Sequence, residues 1–155
     1  MDESFQNPLT ARIAAFLESI GLPVRAAAVP ERTFLPGLHI AGGTLLVDES
    51  HLIYPGDILH EAGHLAVMTP AQRASLEGDV GDNGGEEMAA IAWSYAAAVH
   101  LGIPPEVVFH EAGYRGGAAN LIENFAQGRS IGLPYLKWIG LAGDDYPSMR
   151  RWLRE

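Results

Sequence analysis

The apolar positions of the chain fall into short runs whose spacing changes from one stretch to the next. Ile13, Phe16, Leu17 and Ile20 recur at intervals of three and four, which predicts an amphipathic helix over 11–20. Thr10 stands where an N-cap is expected, and Gly21 and Pro23 mark the end. A Pro-rich connection through Pro30 and Pro36 follows. Residues 38–41 and 44–47 are two short, largely apolar runs separated by Gly42-Gly43, the pattern of a β-hairpin with a tight turn. Residues 52–54 read as a further short extended piece. Asp57, after Pro55-Gly56, is the expected N-cap of a helix over 58–68. Thr69-Pro70 closes that helix and opens a short one, since Pro suits the first helical position.

The second half is helical in pattern. Residues 78–85 form a Gly- and Asp-rich loop, and 86–101 an Ala-rich helix with Glu86 and Glu87 at its positive end. Helices are predicted from Pro105 to about Glu111, over 118–126 and over 133–141, with a last charged helix starting at Tyr146-Pro147. Trp93, Tyr95, Trp138 and Leu141 are expected in the core. With no repeat and no long linker, the pattern predicts a single α+β domain over 1–155. It is mostly helical, with a small sheet or hairpin before the helix at 58–68.

Composition narrows the function. Of the 155 residues 48% are hydrophobic and 19% charged, which is enough apolar material for a folded core. Nineteen acids oppose ten bases, for a net charge of −9, and the bases gather only near the C-terminus. A nucleic-acid partner needs a basic face, so none is expected. The absence of cysteine excludes disulfides and thiolate metal sites and suits a cytoplasmic location. The acidic, polar first ten residues are not a secretory signal, and the apolar stretch 88–103 is too short for a membrane span.

One constellation carries chemistry. His60, Glu61 and His64 form H-E-x-x-H inside the predicted helix 58–68. Residues four apart project from one face of a helix, so His60 and His64 can meet one ion. Glu61 lies about 100° around the helix from His60, placed to act as a general base on water activated by the ion. Apart from Asp57, Glu61 and the two histidines, 57–67 carries no ionisable residue, unlike a solvated surface helix. A catalytic zinc site has a third protein ligand. Pro70 stands where an elongated motif would place a third histidine, which leaves Glu86 or Glu87. Dipole capping alone explains acids at a helix start, but the site needs a third ligand, so ligation is the expectation for one of the pair.

His60-Glu61-x-x-His64, followed some twenty residues on by Glu in an Ala-rich helix, resembles the gluzincin metallopeptidases. Within that group the compact, cytosolic ImmA/IrrE-like branch is the most similar in size. The resemblance covers residues 38–101. It implies a zincin-like domain, a Zn2+ cofactor held by His60, His64 and Glu87, and hydrolysis of a peptide or protein substrate. Glu87, Ala90 and Trp93 follow the branch's spacing of Glu, Ala and aromatic, whereas Glu86 is followed by Ala92 at the aromatic position. The acid or amide that many gluzincins carry four residues past the third ligand is Ile91 here, so Asp79, Asp82 or a backbone carbonyl is left to orient the histidines. That departure supports an alternative, a non-proteolytic metal-binding or interaction protein on a zincin scaffold.

His110-Glu111-Ala112-Gly113-Tyr114 repeats the start of the motif without its second histidine. It is a helix end followed by a turn, or a source of an oxyanion donor from His110, Tyr114 or Arg115. The strand over 44–47 is expected to align an extended peptide by edge pairing.

Overall fold

The computed structural model describes residues 5–29, 33, 35–78, 84–110 and 117–155. The first helix, α1, spans Pro8–Ser19 and begins three residues before the expected start at Ala11. Its cap is Asn7, not Thr10: Asn7 Oδ1 accepts from the backbone N–H of Leu9 at 2.8 Å and of Thr10 at 3.3 Å. Thr10 lies inside the helix and is buried. Glu49 reaches across from the hairpin side to accept from the N–H of Gln6 and Asn7, which also favours an acid at this positive end.

Three short strands follow. β1 (Val24–Ala26) lies inside the stretch expected to be a plain connection. β2 (Leu38–Ala41) and β3 (Thr44–Val47) form the expected hairpin, with Ala41 opposite Thr44 and Leu38 opposite Val47. Gly42 and Gly43 both take positive φ, 58° and 83°, as a tight two-residue hairpin turn requires. β1 runs parallel to β3, and a two-residue β4 (Glu77–Gly78) pairs antiparallel with Ile40 and Ala41. The sheet order β1-β3-β2-β4 puts β3 between two partners. The predicted edge pairing of a peptide on 44–47 is therefore ruled out, because those backbone groups are already spent on β1 and β2.

Residues 52–54 form no strand. Asp48 turns the chain there: its backbone oxygen accepts from His51 and Leu52, and its carboxylate accepts from Ser50 and Val29. The next helix, α2 (Asp57–Val67), is buried on every face. Gly56 occupies its cap position, and the side chain of Asp57 is turned to another use. A buried helix must still satisfy its last carbonyls. Two arginines do so: Arg73 Nε donates to Leu65 O at 2.8 Å, and Arg154 donates to Ala66 O through its backbone N–H and to Val67 O through its side chain.

The short α3 (Pro70–Ser75) opens with the capping box of Thr69 and Gln72. The long α4 (Gly84–Leu101) is the principal partner of α2, and the two meet through small residues. A Cβ on Gly63 would sit 2.8 Å from the carbonyl oxygen of Ala90. Beyond it come α5 (Pro105–Val108), α6 (Ala118–Ala126) and α7 (Leu133–Trp138). Helices α5 and α7 both contact α4, and α6 packs against α5. α7 ends at Trp138, which is 75% exposed and so is no core residue. Trp93 and Leu141 are fully buried. The charged helix expected from Tyr146 does not form. Ala142 bridges Met149 and the Tyr146 hydroxyl donates to Ala92 O at 2.7 Å, which holds this segment as a turn against α4.

The architecture is thus α+β, seven helices with one small sheet among the described residues. No described helix is long and apolar enough to cross a membrane.

Candidate metal centre

Helical periodicity does what the motif spacing requires. His60 and His64 stand one turn apart on α2, their rings 5.0 Å between centroids and inclined by 77°. Both are buried. α4 crosses close to α2 because Gly63 and Ala90 carry little or no side chain, and this brings the first turn of α4 over the two rings. Glu87 Oε1 lies 2.7 Å from His64 Nε2 and 3.5 Å from His60 Nε2. Of the two acids at the helix start, Glu87 is the one that joins the histidines. Its side chain is 45% exposed, so the site opens toward solvent on this side.

One donor atom from each of His60, His64 and Glu87 lies within 4.8 Å of the others, and the three could hold a metal ion. The fit is good on the chemistry of the donors. Three ligands at zinc distances of about 2.0–2.2 Å in a tetrahedral arrangement stand about 3.3–3.6 Å apart, which matches the 3.5 Å between Glu87 and His60 and exceeds the 2.7 Å between Glu87 and His64.

Electrostatics agrees with the geometry. Burial acts to lower the pKa of His60, but the hydrogen bond and charge of Glu87, with the charges of Glu61 and Asp57, outweigh it and raise the pKa. The hydrogen bonds from His60 and His64 hold the Glu87 carboxyl far below the usual range. The cluster is therefore built to stabilise positive charge beside a carboxylate, whether that charge is a proton or an ion.

Glu61 is 2% exposed, on the buried helix between the two histidines in sequence. His110 is drawn toward the same helix. Its Nε2 is 2.7 Å from Asp57 Oδ1, and its ring stacks on Tyr54 at 3.8 Å between centroids. Asp57 Oδ2 is buried without a hydrogen-bond partner among the described residues. Burial pushes the Asp57 carboxyl up, against the opposing pull of His110 and His60. Asp57 was legible in the sequence only as a helix cap. Its pairing with a histidine 53 residues away has no local signal beyond an acid at the head of a nearly charge-free helix.

Tyr114, Arg115, Asp79 and Asp82 lie outside the described residues. Ile91 is 6% exposed and belongs to the apolar core, so it serves packing. No known protein family, no curated protein and no solved structure matches the chain.

Proposed function

We propose that this protein is a zinc-dependent hydrolase, a small metallopeptidase acting on a peptide or protein substrate. The observation that carries the reading is the convergence of His60, His64 and Glu87 around a common point, with the buried Glu61 carboxyl on the same helix. Zinc suits two imidazoles and a carboxylate, and when bound it acidifies water and polarises a carbonyl. Glu61 takes the proton from the attacking water and passes it to the leaving nitrogen. His110 is the donor to the oxygen that gains negative charge in the tetrahedral intermediate, and Tyr114 is a second candidate for that role. Asp57 positions His110 by holding its Nε2 at 2.7 Å.

The test begins with metal analysis of protein purified without a His-tag, beside His64→Ala. About one zinc per chain is expected, lost in the variant. Glu61→Gln is then expected to keep the metal and to lower cleavage of a peptide library by about 10²–10⁴. Undiminished cleavage in Glu61→Gln would remove the mechanism. Zinc uptake with no peptide cut by the wild type would instead favour a non-proteolytic metal-binding protein.

A further inference from the structure

One cavity adjoins the proposed site at His110 and has no part yet in the functional reading beyond that residue. It measures about 530 Å³ and lies between the end of α5 and one face of α6. Ala118, Ala119, Ile122 and Glu123 are spaced i, i+1, i+4 and i+5, so they share that face, and Glu106, Phe109 and His110 close the opposite side. The volume falls within the ordinary range of ligand pockets, about 300–1,000 Å³. Its chemistry is split. Phe109 and Ala118 are buried and supply an apolar floor with Ile122, whereas Glu106 and Glu123 are exposed. Among the described residues no lysine or arginine lines it.

The cavity is also close to the metal centre. Its His110 wall is tied to Asp57, and Asp57 stands three residues before His60, about 4.5 Å along the helix axis. The backbone of α5 comes against the head of α2 at Gly56, where a Cβ would collide with the Val107 carbonyl. The two sites are therefore joined through the contact of His110 with Asp57 at the head of α2.

We infer that this cavity selects the substrate and takes a lysine or arginine side chain. The aliphatic stem lies over Phe109, Ala118 and Ile122, and the charge is met by Glu106 and Glu123 at the rim. An apolar floor with carboxylates at the mouth is the complement of a long side chain that buries its stem and keeps its head in water. A purely apolar side chain would leave Glu106 to water and Glu123 to water and Gln127, whose Nε2 donates to Glu123 Oε2 at 3.0 Å, and a short one would leave the floor empty. The net charge of −9 draws cationic peptides in the same direction. The inference rests on the metallopeptidase reading, and the experiment separates the two.

Two peptides differing only in lysine or norleucine are titrated into zinc-loaded protein while the methyl resonances of Ile122, Ala118 and Ala119 are followed by NMR. The same peptides are assayed for cleavage. Saturable shifts with lysine are expected at these methyls. They should weaken about three- to tenfold with norleucine and by a similar factor in Glu106→Gln/Glu123→Gln, the range for two partly exposed ion pairs. Both glutamates are exposed, so the double variant is expected to fold. In cleavage, lysine or arginine should be preferred at one position near the cut bond, and the double variant should lose that preference while cutting the norleucine peptide as before. Equal binding of norleucine and lysine, or binding unchanged in the double variant, would overturn the inference even if peptides are cut. Lysine binding at these methyls without any cleavage would support the ligand class and sink the peptidase reading instead.

Discussion

Asp48 shows how much one side chain can organise. Its carboxylate accepts from Ser50 Oγ, from the N–H of Val29 and Ser50, and lies 2.9 Å from His51 Nδ1. The bonds to Ser50, His51 and Val29 hold its pKa well below the usual range. A depressed carboxyl adds stability that is fully present above the unfolded pKa, near 3.8, and is lost as pH falls toward the folded value. Asp48→Asn is therefore expected to be less stable than the wild type at pH 7. The gap should close as the pH is lowered below about 4. Urea unfolding at a series of pH values measures it, and a gap independent of pH would contradict the assignment. At the candidate metal centre the decisive residue is Glu87, whose Oε1 faces both imidazoles.

At the scale of the element, α2 explains its own unusual sequence. A helix buried on every face can carry charge only where the charge is used, and its four ionisable side chains are the two histidines, Glu61 and Asp57. Gly63 is the point of contact with α4. Intrinsic propensity alone favours Ala there by about 1 kcal/mol. The added methyl would press on the Ala90 backbone, which cannot rotate away, and overpacking of this kind costs about 1–3 kcal/mol. Gly63→Ala is thus expected to lower the midpoint of thermal unfolding and to weaken metal binding by moving Glu87 away from the histidines. A midpoint equal to or above that of the wild type would show that the helices separate freely. Asn7→Ala at the head of α1 is a second, local case, with an expected loss of about 1 kcal/mol from the two capping bonds.

At the scale of the molecule, the site depends on segments far from it in sequence. The C-terminal residues are fastened to the end of α2: Arg73 Nη2 donates to Arg154 O, and Arg154 returns bonds to Ala66 and Val67. Trp93 Nε1 donates to Trp152 O, and Phe16, Trp93 and Trp152 meet edge to face or tilted. Metal binding to ligands on two separate helices should report on the whole structure. Zinc at about 100 times its Kd is expected to stabilise the protein by about 2.7 kcal/mol. For a chain of this size that is a rise of roughly 5–10 °C in Tm. A calorimetric scan with and without zinc checks it, and His64→Ala should show no rise.

Much of this was present in the residues alone. The hairpin at 38–47, the helices carrying His60 and Glu87, and the placing of His60 and His64 where both could meet one ion follow from local periodicity, turn chemistry and helical spacing. These are short-range rules, and they act over a few residues. The preference for Glu87 over Glu86 came from the resemblance to a family's spacing of Glu, Ala and aromatic, and Glu87 is the acid whose Oε1 lies 2.7 Å from His64 Nε2 and 3.5 Å from His60 Nε2. What lay beyond such rules needed the assembled chain. β1 and β4 are too short to be stable by themselves and exist because β3 and β2 offer them edges. Residues 146–150 carry a helix-like start but are held as a turn by Ala92 and Leu141. Asp57 could cap a helix by its position, yet burial beside His110 gave it a different partner. The periodicity of the chain determined which residues could ligate a metal. Only the crossing of α2 and α4, set by contact between Gly63 and Ala90, decided that their atoms meet.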